Sequence, residues 1–349
     1  MNKTFLSLAS ENYAGIHPAI LEAVIQCNSG HQRSYGNDDY TAKMSNIIKE
    51  HFGKDAEVHF VLNGTGANVF ALSTMTRSYH AILCSDLAHV FVSESTAVEA
   101  FTGCRLLQVS TKEGKIIPQA LEQAITRVGD IHFPQAKVLT LTQPTEYGTV
   151  YTKEEMQVLV DIAHKHNLYV HIDGARLINA AAALNCSLQG ATAGADIVCL
   201  GGTKAGMMIG EAVIFLNKQL YSESGYLLKR SMQLASKMRF IACQFEALLS
   251  NNVWHDIATH TNAMAKLLAA GLQQFEEIQI TQPVETNAVF AAMPTTWIEA
   301  LQKIMPFYYW DEAINEIRLM CSFDVQEKDI AMFMDAIKAL KSNAVSGEL

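Results

Sequence analysis

Short apolar runs alternate with amphipathic segments through the middle of the chain. The alternation predicts two helices. One begins at about Ala67, and the other begins at the capping box Thr152-x-x-Glu155 and runs to His166. Runs of β-branched and aliphatic residues predict strands at 58–62, 81–85, 137–141, 168–172, 196–200 and 212–216. Strands separated by helices pair in parallel through right-handed crossovers, and continuously apolar strands are buried on both faces. The centre is therefore predicted to be an α/β sheet, mostly parallel.

The pattern changes near residue 229, where long helices replace the alternation. The last hundred residues mix helix with strand-like runs at 288–293 and 317–323. A chain of 349 residues can bury more than one core. We expect a large α/β domain over residues 15–245 and a small α+β domain made of residues 1–14 and 246–349.

Composition and charge narrow the classes of partner. With 35 acidic and 26 basic residues the formal net charge is −9, which argues against nucleic acid and anionic membrane surfaces as partners. No apolar run reaches transmembrane length, and the apolar part of the first ten residues is too short for a leader peptide. Seven scattered cysteines without a CxxC pair are typical of buried, reduced thiols, so we expect a cytoplasmic protein. The twelve histidines show no metal-ligand spacing, and we expect no metal.

Residues capable of chemistry follow the predicted strands, where open parallel sheets bind their ligands. The first such segment is the turn Asn63-Gly64-Thr65-Gly66, which precedes a helix. Its glycines allow a ligand to approach the backbone closely, and N–H groups at a helix start favour a phosphate. The turn is neither a GxGxxG nor a Walker A loop, so an ordinary strand–helix turn remains the alternative.

Asp173, Lys204 and His89 also come just after predicted strands. Asp173, in HIDGAR, could cap a helix or could pair with the protonated ring nitrogen of a cofactor such as pyridoxal phosphate (PLP). Lys204, in GGTKAG, could be a lysine of a tight turn, but desolvation there would lower its pKa and favour a Schiff base. His89 could be structural or could stack on a flat ring. Thr203 offers a hydroxyl to a phosphate.

Taken together and in this order, these segments resemble the threonine aldolase / aromatic amino-acid β-eliminating lyase family of PLP enzymes, and within it the phenylserine aldolase-like branch. The resemblance runs from Leu8-Ala9-Ser10-Glu11-Asn12 to Arg318-Leu319 and includes Ser236-Lys237-Met238-Arg239-Phe240. It implies an aspartate-aminotransferase-like fold, PLP as cofactor, a small amino-acid substrate and a homo-oligomer, either a dimer or a tetramer.

The resemblance also implies roles for individual residues. Lys204 would form the Schiff base, Asp173 would pair with the pyridine nitrogen and His89 would stack on the ring. Arginine suits a carboxylate because its planar fork makes two parallel hydrogen bonds. The other implied positions are the phosphate cradle (Gly64, Thr65 and Thr203), the neighbour of the cofactor's phenolic oxygen (Arg176), and the substrate-carboxylate site (Ser10 and Arg318). Two further residues would approach from a neighbouring subunit, Tyr35 to bind the substrate and Arg239 to bind the cofactor.

One position departs from the family pattern. Many threonine aldolases carry a second histidine where this chain has Glu146, so the base that acts on the substrate hydroxyl stays open between Glu146 and His89. The implied reaction is retro-aldol cleavage of a β-hydroxy-α-amino acid (threonine, allo-threonine or phenylserine) to glycine and an aldehyde. The alternatives are PLP-dependent β-elimination, which would give pyruvate and ammonia, and a non-catalytic protein that has kept the fold.

Overall fold

The computed structural model describes residues 6–346. Residues 1–5 and 347–349, which belong to the predicted small domain and include part of the segment considered as a leader, lie outside the described residues. No helix within 6–346 has the length and apolar character needed to cross a membrane.

Helices account for more of the described residues than strands do. In order, they are α1 Pro18–Cys27, α2 Asp39–Phe52, α3 Gly64–Met75, α4 His89–Val92, α5 Ala97–Thr102, α6 Pro118–Ala124, α7 Lys153–Lys165, α8 Leu177–Ala183, α9 Ser224–Arg230, α10 Arg239–Leu249, α11 Val253–Leu272, α12 Thr295–Gln302 and α13 Glu327–Ser346. The predicted capping box at Thr152 is confirmed, with its hydroxyl accepting from Glu155 N at 3.2 Å and the Glu155 carboxylate accepting from Thr152 N at 2.8 Å.

The strands form two larger sheets and one small hairpin. They are β1 Glu57–Val61, β2 His80–Ser85, β3 Arg105–Val109, β4 Thr111–Lys112, β5 Lys115–Ile116, β6 Gln135–Thr142, β7 Tyr169–Gly174, β8 Ile197–Gly201, β9 Glu211–Phe215, β10 Gln279–Ile280, β11 Ala288–Ala292, β12 Tyr308–Asp311 and β13 Glu316–Met320. The large sheet has the order β1-β9-β8-β7-β6-β2-β3, and the second has the order β10-β11-β13-β12. All strands predicted from apolar runs are therefore present, within a few residues at their ends.

The direction of one strand corrects the sequence-based expectation. Pairs β2·β3, β2·β6, β6·β7 and β7·β8 are parallel as predicted, but β9 is antiparallel to both of its neighbours, β8 and β1. The prediction of parallel pairing was wrong for β9 because a strand buried on both faces has the same apolar pattern in either direction. The reversal places Glu211, the first residue of β9, beside Gly201 and Val61, the last residues of β8 and β1.

Each face of the large sheet is covered by its own apolar core. Ile172, Ile214 and Phe245 belong to one core, and Phe70, Val213 and Phe215 belong to the core on the opposite face. A third core lies between the second sheet and helices α11 to α13, and Leu8 from the N-terminal segment joins it. The fold is thus a three-layer α/β unit followed by an antiparallel α+β unit. Their predicted boundary near residue 245 stays a prediction, since α11 contributes Trp254 to the first core and Leu268 to the third.

Candidate active site

A cavity of about 390 Å³ opens at the carboxyl edge of the large sheet. Its lining comes from the segments that follow β1, β2, β7 and β8, together with the start of β9, as expected for a ligand site in a parallel sheet. The residues that line it are Asn12, Asn63, Gly64, Thr65, Ala67, Asn68, His89, Asp173, Ala175, Cys199, Leu200, Gly201, Thr203, Lys204 and Glu211. Six residues predicted for the site are among them, namely Gly64, Thr65, His89, Asp173, Thr203 and Lys204.

The turn after β1 presents a helix start to this cavity. Asn63 caps α3 by accepting a hydrogen bond from Gly66 N at 2.7 Å. The N–H groups of Gly64 and Thr65 lie in the first turn and have no acceptor within the helix. A Cβ added at Gly64 would meet no atom within 4 Å, so this backbone faces open space. The turn can therefore bind an anionic group through its backbone.

Asp173 lies near the end of β7 and is 7% exposed. Its Oδ1 accepts from Ala175 N at 3.1 Å and its Oδ2 accepts from Asn68 Nδ2 at 2.9 Å. It does not cap α8, whose N-cap residue is Arg176. The carboxylate thus has hydrogen-bond donors on both oxygens, lines the cavity, and can pair with a cation there.

His89 begins α4, and its ring is bonded from behind. Its Nδ1 lies 2.8 Å from Oε1 of Glu94, whose side chain is completely buried, while the imidazole itself is 45% exposed. Within residues 6–346, Nε2 makes no hydrogen bond, and the ring lines the cavity. A ring that is fixed at one nitrogen and free at the other can exchange a proton with a ligand.

Lys204 lies in a 3₁₀ turn, Thr203–Ala205, directly after β8. The positive charge of Arg176 and then burial lower the pKa of its amine, which increases the fraction of neutral, nucleophilic lysine. The tight packing of this turn requires glycine at position 201, since a Cβ there would come 2.2 Å from Ala175 O. The lysine is thereby brought next to the end of β7 and to Asp173.

Glu211 enters the cavity because β9 is reversed. Its Oε2 accepts from Gly202 N at 2.7 Å, two residues before Lys204. Burial raises the pKa of this carboxyl to about 7, although the Gly202 hydrogen bond opposes the shift. The apolar pattern did not indicate Glu211 as a site residue, because a glutamate at the start of a parallel strand would lie at the opposite edge of the sheet.

An ion pair between Arg176 and Glu11 of the N-terminal segment lies beside the cavity. Arg176 donates to both oxygens of Glu11, from Nε at 2.5 Å and from Nη2 at 2.9 Å, and Asn287 Nδ2 donates to Oε1 at 2.8 Å. Burial alone would raise the pKa of Glu11, but Arg176 and the hydrogen bonds lower it to about 2. Arg176, predicted to approach the cofactor, is therefore fixed by a carboxylate that was not singled out.

Glu146 lies in the loop after β6, behind His89. Its Oε1 accepts from His89 N at 3.0 Å and from Thr142 Oγ1 at 2.8 Å, whereas its Oε2 is buried without a partner among the described residues. Burial raises the pKa of this carboxyl to about 7. It is not among the residues that line the cavity, so it contacts the site through the backbone of His89.

Arg318 and Ser10 meet where the N-terminal segment crosses the second sheet. Arg318 Nη2 donates to Ala9 O at 3.2 Å, and its guanidinium lies 5.4 Å from the centre of the Trp310 ring. Its Nε is buried without a partner within residues 6–346, and burial followed by repulsion from Arg176 lowers its pKa to about 10. Ser10 is buried and accepts from Asn12 N at 3.2 Å.

Tyr35 and Arg239 do not line the cavity of this single chain. Tyr35 is 47% exposed with a positive φ of 59°, and Lys229 Nζ lies 5.1 Å above its ring. Arg239 donates to the carbonyl groups of Ser29 and Gly30, both at 3.3 Å. Their predicted approach from a neighbouring subunit stays a prediction.

Comparison with known proteins places these features in a family. The model of the beta-eliminating lyase family matches residues 7–296. A low specificity L-threonine aldolase of Pseudomonas aeruginosa is 40% identical over 338 residues, covering 94% of this chain and 98% of the relative. The structure of a threonine aldolase from Leishmania major superposes with a TM-score of 0.91 at 31% identity over 96% of this chain and 99% of that one. A Thermus thermophilus aspartate aminotransferase shares the fold, with a TM-score of 0.70 at 14% identity over 97% and 96% of the two chains.

Proposed function

The chain belongs to the beta-eliminating lyase family, and from this premise we propose that it is a PLP-dependent aldehyde-lyase that cleaves β-hydroxy-α-amino acids to glycine and an aldehyde. The observation that carries the proposal is that Lys204, Asp173 and His89, distant in sequence, line one cavity with the helix start at Gly64. Relatives named threonine aldolase, at up to 40% identity among those compared, support the reaction class.

The side chains and backbone around the cavity fit PLP. The open backbone at Gly64 and Thr65 would hold its phosphate, and the hydroxyl of Thr203 would assist. Asp173 would pair with the protonated ring nitrogen, since Asn68 Nδ2 and Ala175 N orient its two oxygens at the cavity. Lys204 would hold the cofactor covalently through an amine that Arg176 and burial make more nucleophilic. When bound, PLP supplies an electron-withdrawing ring that accepts the electron pair of the broken Cα–Cβ bond.

The substrate carboxylate would bind at Arg318 and Ser10. Arg318 is a partly buried cation, and within residues 6–346 its Nε has no partner and its guanidinium makes no hydrogen bond to a carboxylate. An anionic ligand would supply the missing counter-charge in a geometry that guanidinium favours. Arg176 would remain paired with Glu11 and act on the cofactor side.

Proton transfer from the substrate hydroxyl would fall to His89. Among the described residues nothing hydrogen-bonds to its Nε2, and its ring lines the cavity, whereas the carboxylate of Glu146 does not line the cavity and contacts the His89 backbone instead. A base must lie within hydrogen-bond distance of the proton that it removes, which favours His89 over Glu146 as the group that contacts substrate. Glu146 would then affect the polarity of the environment behind His89 without contacting the substrate.

We further propose that the enzyme is cytoplasmic and assembles as a homo-oligomer, with Tyr35 and Arg239 reaching a neighbour's site. The scattered cysteines support the compartment, and the exposed Tyr35 in its strained loop supports a contact outside this chain. Light scattering beside an activity assay over a dilution series tests the assembly, because a shared site loses activity when the oligomer dissociates.

The experiment that tests the function is product identification. The purified enzyme is offered threonine, allo-threonine and phenylserine, and the products are separated and identified. Glycine with acetaldehyde or benzaldehyde supports the proposal, and Lys204→Ala should remove it. A 2-oxo acid with ammonia would replace the proposal by β-elimination, and the absence of turnover with every substrate would favour a non-catalytic protein.

A further inference from the structure

A continuous hydrogen-bonded chain lies behind the cavity and joins two of its lining residues. Asn68 Nδ2 donates to Asp173 Oδ2 at 2.9 Å and to Glu94 Oε1 at 2.8 Å. The same Glu94 oxygen lies 2.8 Å from His89 Nδ1. A primary amide has two N–H donors, so Asn68 can satisfy both carboxylates at once.

Glu94 is costly to the fold in this position. Its side chain is completely buried, and its Oε2, like Oδ1 of Asn68, has no hydrogen-bond partner in the described part of the chain. A buried carboxylate with an unpaired oxygen opposes folding. The two residues that follow, Ser95 and Thr96, both adopt positive φ (48° and 59°), a region that a β-branched threonine rarely enters. Strained backbone and a buried carboxyl oxygen that has no partner within residues 6–346 together point to a function for Glu94.

We propose that Glu94 is a positioning residue that fixes the tautomer of His89, and that Asn68 links this carboxylate to Asp173. Because Oε1 of Glu94 already acts as an acceptor toward Asn68, this arrangement assigns the hydrogen of His89 to Nδ1 and leaves the lone pair of Nε2 facing the cavity. That tautomer can accept a proton from a ligand hydroxyl. The buried charge of Glu94 then stabilises the resulting imidazolium, as the aspartate does in a serine-protease triad.

The link through Asn68 gives the two sides of the cavity a common support. Asp173 is oriented by the same amide that orients Glu94, so a displacement of Asn68 would move both carboxylates. This inference rests on the proposed function for its catalytic meaning. The tautomer itself is a property of the protein and can be measured without any turnover.

The test measures the His89 tautomer by two-bond ¹H–¹⁵N NMR of the imidazole in the purified enzyme, without substrate, near neutral pH. The His89 signals are assigned by their loss in His89→Gln. We expect a neutral ring with its hydrogen on Nδ1. In Glu94→Leu no acceptor remains beside Nδ1, so the hydrogen should redistribute toward Nε2. The matched control is Glu99→Gln, which removes one charge from the neighbouring α5 without touching His89, and it should leave the tautomer unchanged.

Kinetics separate positioning from general damage. Glu94→Gln should lower kcat for the best substrate by roughly 10²-fold, as expected for the loss of one acid–base contribution, with KM close to the parent value. A parent ring protonated on Nε2, or a Glu94→Leu enzyme with an unchanged tautomer, overturns the proposal. The parent spectrum decides the point even if the variant does not fold. If the parent enzyme cleaves none of the substrates, the proposed function is wrong. The measured tautomer of His89 still decides whether Glu94 positions that ring.

Discussion

Two buried glutamates beside the cavity, Glu11 and Glu146, have opposite titration behaviour. Burial raises the pKa of each, yet Glu11 ends at about 2 and Glu146 at about 7. The difference is the partner, because Glu11 faces the fork of Arg176, whereas the partners of Glu146 in the described part of the chain are the hydroxyl of Thr142 and the backbone N–H of His89. Glu11 in the N-terminal segment thus stays ionised beside Arg176 at neutral pH, whereas the carboxyl group of Glu146 behind His89 titrates near pH 7.

The two regions respond oppositely to pH. The folded-state pKa of Glu11 is depressed, so its contribution to the free energy of unfolding is present above about pH 4.5 and is lost as the pH falls toward 2. The folded-state pKa of Glu146 is raised, so its contribution is complete below about pH 4.5 and is lost as the pH rises through 7. The comparison therefore predicts an acid-sensitive pair and an alkali-sensitive carboxyl.

The largest expected effect is on the paired region. Arg176→Leu leaves Glu11 buried without its counter-charge and should lower the free energy of unfolding by about 3–5 kcal/mol. Denaturant unfolding at pH 7 measures it. The double variant Glu11→Gln/Arg176→Leu should recover part of the loss, because no buried charge is then left alone. Equal stability of Arg176→Leu and the parent would show that the Glu11–Arg176 pair does not stabilise the fold, and the comparison would fail there.

A somewhat smaller effect is expected behind His89. Glu146→Gln removes the group that becomes unfavourable when it ionises, so the variant should gain stability relative to the parent between about pH 5 and pH 8, by up to about 3 kcal/mol. Urea midpoints across that range provide the measurement. Glu154→Gln, at an exposed position of α7, is the matched control and should track the parent. Parallel curves for Glu146→Gln and the parent would show that the carboxyl is ionised throughout.

A second comparison contrasts two partly buried arginines, Arg318 and Arg176. Unlike Arg176, Arg318 makes no hydrogen bond to a carboxylate within residues 6–346, so Arg318→Leu should cost less stability than Arg176→Leu. We expect the loss in substrate binding instead, about 2 kcal/mol or roughly thirtyfold in KM. Steady-state kinetics and the unfolding midpoint of the same preparation separate the two. An unchanged KM would remove Arg318 from the substrate site.

The smallest effect is expected at an exposed pair. Lys338 and Asp335 form a 2.9 Å salt bridge on α13 with side chains that are 62% and 72% exposed. Solvent screens such pairs, so Lys338→Met should leave the unfolding midpoint unchanged within error. A clear loss of stability in Lys338→Met would mean that an ion pair stabilises this protein even without burial. Burial would then not be the basis of the contrast between the two regions.

The sequence predicted the sheet because its buried strands are continuously apolar. It missed β3, Arg105–Val109, whose exposed Arg105 and Gln108 interrupt that pattern at the edge of the sheet. It also missed the reversal of β9, since strand direction is decided by tertiary pairing that an apolar run does not encode.

The site was predictable where residues follow strands. Lys204, Asp173, His89 and the turn at Gly64 were found in this way and lie together. Glu94 and Asn68 were missed because one follows a four-residue helix and the other lies within α3, so only packing reveals their burial. A polar residue amid the small and apolar residues of α3 was the one available signal for Asn68.

The most direct test of the account is the identity of the lysine that holds the cofactor. The purified enzyme is reduced with borohydride, digested and mapped by mass spectrometry, with Lys204→Ala treated in the same way. We predict the reduced cofactor on the peptide that contains Lys204, no label in Lys204→Ala, and loss of nearly all turnover in a variant that still folds. A label on another lysine, or an unlabelled parent enzyme, would contradict the assignment of this cavity as the active site.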